Sequence, residues 1–290
     1  MDSNQPHSKL HSIITKRGFL VFLILVLTLA GRSFAGVMVA PTVVVLNEKD
    51  RTGRITIQNP SERPKEISIA INFGLPISDS TGNIQIQLQD TGVTDPRSAI
   101  SWVKAFPERF VLSPSASQVV RFRANPPPGL ADGEYWARIV VRSQEGEVSI
   151  PSPSDSGKIT TKLNMIMQTV IMLKYRTGTL ISKLEVLKTD AKLVDSMVQT
   201  TIDMANRGNV SYVGTLKCQL VSADGAVISS DKIDLAVYRE LTRRIKLPVR
   251  EQDSRKPYKI EISINTSGRT DIAPEDIIKG NSIEYSTLIN

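Results

Sequence analysis

The chain of 290 residues has little of the chemistry that most catalytic sites need. It contains one cysteine, Cys218, and two histidines, His7 and His11. A single cysteine excludes an internal disulfide and a cysteine-rich metal site. Residues 214–220 around Cys218 alternate in polarity, which predicts a small side chain packed on a strand rather than a reactive thiol.

Long hydrophobic runs are equally scarce. Residues 19–30 form one apolar run, preceded by cations and followed by small side chains at two positions of residues 33–35. This pattern predicts a secretory signal over residues 1–35, with cleavage before Gly36. The alternative is an uncleaved membrane anchor, although about a dozen apolar residues are short for a span that needs roughly 20.

The predicted signal carries both histidines, four Lys or Arg and one Asp, so its removal lowers the net charge from +7 to +4. Without histidine, no Ser-His-Asp or Cys-His pair and no His-ligated zinc site can be built. We therefore expect no enzyme and no cofactor. At a net charge of +4 we expect no nucleic acid partner and, once the signal is removed, no membrane partner.

The polarity of the chain repeats every two residues almost throughout, which predicts strands. In the first half we predict one strand over residues 102–112 and a loop or hairpin insertion over residues 73–100. Residues 161–176 form the longest strand-like run, because Leu163, Met165 and Met167 alternate with polar neighbours. A helix is the alternative for this run.

The second half follows a break at residues 177–179 and contains seven short strand-like runs separated by turn signals. Among them are residues 180–187 and 226–229, and a helical turn is predicted at Pro274–Asp276. Seven short strands in about a hundred residues are typical of an Ig-like sandwich. We therefore predict an all-β protein with two tandem Ig-like β-sandwich domains, residues 36–177 and 178–290.

Four stretches of the first half occur in an order and spacing that resemble the N-terminal domain of the PapD-like periplasmic pilus-assembly chaperones. The resemblance covers about residues 37–176, whereas the second half matches only in length, position and strand pattern. The stretches are residues 55–60, 106–114, 118–122 and 163–169, the last running on to 173–176.

The resemblance implies that the long last strand of the first domain lends alternate apolar side chains to an incomplete Ig-like subunit. At the matching positions stand Leu163, Met165 and Met167. In such β-augmentation, main-chain hydrogen bonds supply affinity and the side chains fill pockets. The alternative is that these three side chains pack in the core of their own domain.

The chain departs from the family at the residues that anchor the subunit's terminal carboxylate, an arginine on the first strand and a lysine on the last. The corresponding places here fall near Val43 and at Met172, which cannot bind a carboxylate. Lys174, on the same face as Met172 one side-chain repeat further on, and Arg121 are the candidate substitutes.

The resemblance thus implies a periplasmic chaperone without cofactor or ATP, with pilus or fibre subunits and an outer-membrane usher as partners. A dimer would cap the exposed strand. The alternative is a non-donating structural or adhesive Ig-like exported protein. Asp90-Thr91-Gly92 matches the short signature of aspartic proteases, but this tripeptide is also an ordinary turn.

Overall fold

A computed structural model describes residues 36–79, 81–145, 165–249 and 257–289. The predicted all-β fold with two tandem sandwiches is confirmed. The predicted signal at residues 1–35 lies outside the described residues. Within the described part of the chain, no helix is long and apolar enough to cross a membrane.

The first sandwich packs two sheets face to face. One sheet has the strand order β1-β3-β9-β7, and the other has the order β2-β11-β10-β4-β8. The strands are β1 (Met38–Ala40), β2 (Val43–Asn47), β3 (Thr52–Gln58), β4 (Lys65–Asn72), β5 (Pro76–Ser78), β6 (Ile84–Ile86), β7 (Val103–Phe106), β8 (Arg109–Leu112), β9 (Ser117–Ala124), β10 (Gly133–Glu145) and β11 (Met167–Thr177).

Two prolines mark places where the chain passes from one sheet to the other. Pro41 separates β1 from β2, as its position in an apolar run predicts. The single strand expected over residues 102–112 is wrong, because Pro107 divides it into β7 and β8, which belong to different sheets. A proline has no N–H for a ladder, so the pairing changes there.

The core of the first sandwich is built from every second residue of these strands, as the period of two requires. Ile55 and Ile57 face inward from one sheet, and Ile171, Leu173 and Tyr175 face them from β11 in the other. All five side chains are buried. Burial of a large apolar side chain contributes roughly 1.5–3 kcal/mol.

The second sandwich has one sheet ordered β12-β13-β16 and another ordered β15-β14-β17-β18. The predicted turn at Pro274–Asp276 is a short 3₁₀ helix. The strands are β12 (Leu184–Val194), β13 (Met197–Asn206), β14 (Tyr212–Val221), β15 (Val227–Val237), β16 (Glu240–Pro248), β17 (Tyr258–Asn265) and β18 (Ile283–Ile289).

Two strands of this sandwich differ from their predicted bounds. The strand expected over residues 180–187 runs from Leu184 to Val194, and the one expected over 226–229 extends to Val237. Both are edge strands, and about half of their added residues are polar. Edge strands bury little, so their sequences lack the apolar alternation that reveals a strand.

The insertion at residues 73–100 contains the hairpin β5–β6, as predicted, and this hairpin reaches the second sandwich. The Ser78 hydroxyl donates to the Thr242 carbonyl at 2.7 Å and accepts from the Thr242 N–H at 2.8 Å. Ile84 packs against the second core. The hairpin thereby covers the outer edge of β16.

Candidate functional site

The strand β11 lies between β10 and β2, and its two sides are covered to different extents. On one side, β10 pairs with β11 over the full length from Met167 to Thr177. On the other side, the parallel strand β2 pairs only with residues 172–176. Among the described residues no strand pairs with residues 167–171 on this second side, which we call the free edge of β11.

The backbone direction identifies which groups the free edge presents. The N–H of Met172 donates toward β2, to the carbonyl of Thr42 at 3.4 Å. Because successive residues of a strand turn their N–H and C=O groups to alternate sides, Val170 and Gln168 direct theirs to the same side as Met172. An added strand would therefore form hydrogen bonds with the N–H and C=O groups of Gln168 and Val170.

The predicted donor side chains lie where β11 leaves its own core. Leu163 lies outside the described residues. Met165 and Met167 are 54% and 39% exposed, and Ile166 between them is 58% exposed. Gly36 approaches Met167, but about half of the surface of residues 165–167 remains open to solvent.

The two places that correspond to the family's carboxylate anchor are neighbours in the sheet. Val43 of β2 and Met172 of β11 are register partners. Met172 is buried with Phe73, Trp136 and Tyr238, which we call the interdomain cluster, because Tyr238 belongs to the second sandwich. The rings of Trp136 and Tyr238 meet edge to face with centroids 5.3 Å apart.

Lys174 follows on the same face but is not an exposed cation. Its side chain is 3% exposed, with Nζ 3.4 Å from Glu134 Oε1. The ammonium also donates to Ser211 Oγ at 2.6 Å and lies 5.5 Å from the Tyr238 ring centre. The charge of Lys174 is therefore already matched inside the protein, and its candidate role as an anchor stays a prediction.

Glu134 is the centre of this buried network. Its carboxylate accepts hydrogen bonds from Arg176 at 2.9 Å, from Trp136 at 2.7 Å and from the Ser211 hydroxyl at 2.6 Å. Burial by itself raises the pKa of Glu134, but the charges of Lys174 and Arg176 and these hydrogen bonds outweigh burial and hold the pKa below its ordinary value. The network joins the two sandwiches through Ser211.

Arg121, the second candidate anchor, lies on β9 in the other sheet of the first sandwich. Its side chain is exposed on the outer face, opposite Arg54 and Phe106 in register. The core separates that face from β11, so the structure does not bring Arg121 together with the predicted donor residues.

Arg138 is the residue that sequence reasoning missed. It is the register partner of Met172 on β10, and it is only 6% exposed. Its Nε donates to the Gly74 carbonyl at 2.8 Å, and the guanidinium lies 5.8 Å from the Tyr238 ring centre. No carboxylate of the described residues pairs with Arg138, and burial lowers its pKa.

The other residues considered in the sequence, Asp90 and Cys218, lie away from the free edge of β11. Asp90 is exposed in the insertion, where Gly92 has a φ of 67°, a conformation that glycine adopts readily in turns. Cys218 is buried in the second core. Within the described ranges, no group of three or more His, Cys, Asp or Glu residues could hold a metal ion.

Comparison with known proteins gives structural neighbours but no sequence relatives. No protein-family model matches the chain, and no curated protein matches it. The YadV chaperone is 14% identical, with 87% of this chain and 98% of that chain covered and a TM-score of 0.44. The CupB2 chaperone of Pseudomonas aeruginosa is 14% identical, with 86% and 98% covered and a TM-score of 0.38.

A third similar structure is the CsuC–CsuE complex of a chaperone with a tip adhesion subunit, from archaic chaperone-usher Csu pili of Acinetobacter baumannii. It is 11% identical, with 86% of this chain and 98% of that chain covered and a TM-score of 0.43. Each of these three structures contains a protein named as a chaperone.

Proposed function

We propose that the chain is a periplasmic chaperone that captures Ig-like pilus or surface-fibre subunits by strand addition at the free edge of β11. The observation that carries the proposal is the coincidence of this edge with exposed apolar side chains. Within the described ranges, residues 167–171 are paired on one side only, and the side chains of residues 165–167 at the start of this edge are exposed.

An uncovered apolar strand edge is a liability for a soluble protein, because it pairs readily with other chains. A partner that lacks one strand would satisfy the backbone groups of Gln168 and Val170 and bury the methionines. Methionine side chains are flexible and adapt to pockets of different shape. A capped dimer of two copies would meet the same need while no subunit is present.

The anchoring of a subunit differs from the family pattern in this proposal. Val43 and Met172 offer no charge, and Lys174 is paired with Glu134. Arg138 is the register partner of Met172, and its guanidinium is the cation that would bind the carboxylate of a subunit at this position of the sheet. A buried guanidinium without a carboxylate partner is costly, and an incoming carboxylate would offset that cost.

The test is co-purification of Ig-like subunits with the chain from Gly36 onward. We expect the double variant Met165→Asp, Met167→Asp to remain folded and to lose subunit capture, because charged side chains cannot enter apolar pockets. The matched control is Val227→Asp, Leu288→Asp, which changes two exposed apolar residues of the second sandwich. Undiminished capture by the first double variant would contradict the proposal.

The second candidate function is a structural or adhesive Ig-like protein that does not donate a strand. The apolar pair Val43 and Met172 favours it, since the interdomain cluster fills the place of the family's charged anchor. A wild-type chain that retains no subunit in the same experiment, while remaining folded, would support this alternative.

A further inference from the structure

The outward face of the sheet β1-β3-β9-β7 carries a concentrated positive charge. Arg54 projects from β3, Arg121 and Arg123 from β9, and Lys104 from β7, and all four side chains are exposed. The four strands of this sheet contain no Asp or Glu. We call these four cations and the surface around them the basic face.

The strand register places the cations side by side. Arg54 lies opposite Arg121, and Arg123 lies opposite Lys104. Adjacent strands are about 4.8 Å apart and alternate residues of a strand about 7 Å apart, so the four charges share a patch roughly 7 Å by 10 Å. Like charges directly opposite each other destabilise a sheet, which makes two such pairs an unfavourable choice for folding alone.

The charges of the basic face are not matched by any described residue. In the described part of the chain, none of the four cations forms an ion pair or a side-chain hydrogen bond. The carboxylate of Asp50 in the preceding turn is held by the backbone and hydroxyl of Thr52. The face is therefore open to an anionic partner.

Two apolar side chains flank the cations. Phe106 of β7, opposite Arg121, is 76% exposed, and Met38 of β1 at the other edge of the sheet is 58% exposed. A flat surface that combines cations with projecting apolar side chains fits the interface of a bilayer, where phosphates meet acyl chains. An acidic protein segment would pair with the cations, but it would not account for the exposed apolar side chains beside them.

The predicted signal points to the same environment. Seven residues separate the end of the apolar run at residue 30 from the start of β1 at Met38. Seven residues span at most roughly 25 Å, so this sheet lies next to the membrane for as long as the signal remains attached.

We propose that the basic face binds the surface of a membrane that contains anionic lipids. The net charge of the chain led us to expect no membrane partner, but it sums charges over the whole chain, whereas this sheet collects four cations in one place. This binding is independent of the free edge of β11, which belongs to the other sheet.

The test is sedimentation of the chain from Gly36 onward with vesicles of phosphatidylglycerol and phosphatidylethanolamine, compared with vesicles of phosphatidylcholine alone. We expect binding to the anionic vesicles only, weakening as salt is raised. Each cation near an anionic surface is worth about 5-fold in affinity, so Arg121→Gln with Arg123→Gln should weaken binding roughly 25-fold.

The control removes the same charge elsewhere: Lys217→Gln with Lys232→Gln, an exposed cross-strand pair of cations on β14 and β15. We expect this control to bind the vesicles like the wild type. Equal losses in both double variants, or no preference for anionic vesicles, would overturn the proposal. Binding to polyglutamate in place of vesicles, lost with Arg121 and Arg123, would also overturn it in favour of an acidic protein partner.

Discussion

Val43 and Met172 lie directly opposite each other where the parallel strands β2 and β11 meet. In the family that the sequence resembles, the two corresponding places hold cations that bind a terminal carboxylate. Here the pair is apolar, and Met172 is buried in one cluster with Trp136 of the first sandwich and Tyr238 of the second. The pair therefore offers no charge to the terminal carboxylate of a partner. Met172 instead contributes to the apolar contact between the two sandwiches.

Restoring a lysine at this place should harm the protein. Met172→Lys would put an ammonium into the interdomain cluster, close to Arg138, and an uncompensated buried charge costs about 3–5 kcal/mol. Met172→Leu keeps the volume and should cost less than about 1.5 kcal/mol. Urea unfolding of both variants measures the difference. A stable lysine variant would show that the cluster opens easily.

Arg138 is expected to contribute to partner binding through its charge. Arg138→Gln removes the guanidinium beside Met172, and a charge-assisted hydrogen bond is worth about 1.5–3 kcal/mol, so subunit affinity should fall at least about 10-fold. The wild type should prefer a subunit with a free C-terminal carboxylate over the same subunit with an amidated end, and the variant should not.

Titration calorimetry with the two forms of one subunit measures this preference. Arg138→Lys is the matched control, because it retains a positive charge and should keep part of the preference. If wild type and Arg138→Gln discriminate the two ends equally, Arg138 has only a structural role through its bond to the Gly74 carbonyl.

Loss of the Glu134 carboxylate should strongly destabilise the protein. Glu134→Gln leaves Lys174 and Arg176 buried without the carboxylate that they contact, and breaking a buried pair in this way costs about 3–5 kcal/mol. Glu185→Gln removes the exposed partner of Arg207 and should have little effect. Urea midpoints give both values, and comparable losses would show that the buried network contributes no more than a surface pair.

The same network predicts a dependence of stability on acid. The pKa of Glu134 is lower in the folded chain than its ordinary value of 4.5, so the folded state binds fewer protons than the unfolded state as pH falls. The stabilisation by Glu134 is complete above about pH 4.5 and is lost as pH falls through the lower, folded pKa.

Urea unfolding of wild type and Glu134→Gln at a series of pH values isolates this contribution. The stability difference should be constant near neutrality and shrink below pH 4.5. Asp79, whose pKa is held at about 2 chiefly by the hydrogen bond from Thr81, affects both proteins alike. A difference that stays constant into strong acid would contradict the assigned network.

The sequence patterns identify the parts of the fold that bury alternate residues. The bounds of β14 and β17 are predictable because these strands carry apolar residues at regular spacing. The polar edge strand β15 was predicted too short for the opposite reason. Local polarity reports burial, so the polar part of β15 gave no sign that the strand continues.

The candidate site was predictable only in part. An exposed apolar segment at Met165 and Met167 follows from alternation and resemblance, and the structure places both side chains in solvent. The environment of Lys174 and Arg138 does not follow, because Glu134, Tyr238 and Gly74 reach them only after strands from distant parts of the chain have paired. The sequence next to a charged residue on a strand does not reveal which distant residue will contact its side chain.

Cys218 offers a probe of the second sandwich that is independent of partner binding. Burial raises the pKa of its thiol from 9.0 to about 11, and its side chain is fully enclosed in the second core. A thiol that is both protonated and inaccessible does not attack a disulfide reagent. We expect no reaction of the native protein at pH 8, and rapid reaction in concentrated urea at the rate of a free cysteine.

The matched control is Val227→Cys, which places a second thiol at an exposed position of β15 and should react at once in the native protein. At intermediate urea, the reaction rate of Cys218 should follow the unfolded fraction of the second sandwich, because the thiol reacts only after the core opens. Comparing that midpoint with the loss of ellipticity shows whether the two sandwiches unfold together. Rapid labelling of the native wild type would contradict the packing of β14 against β17.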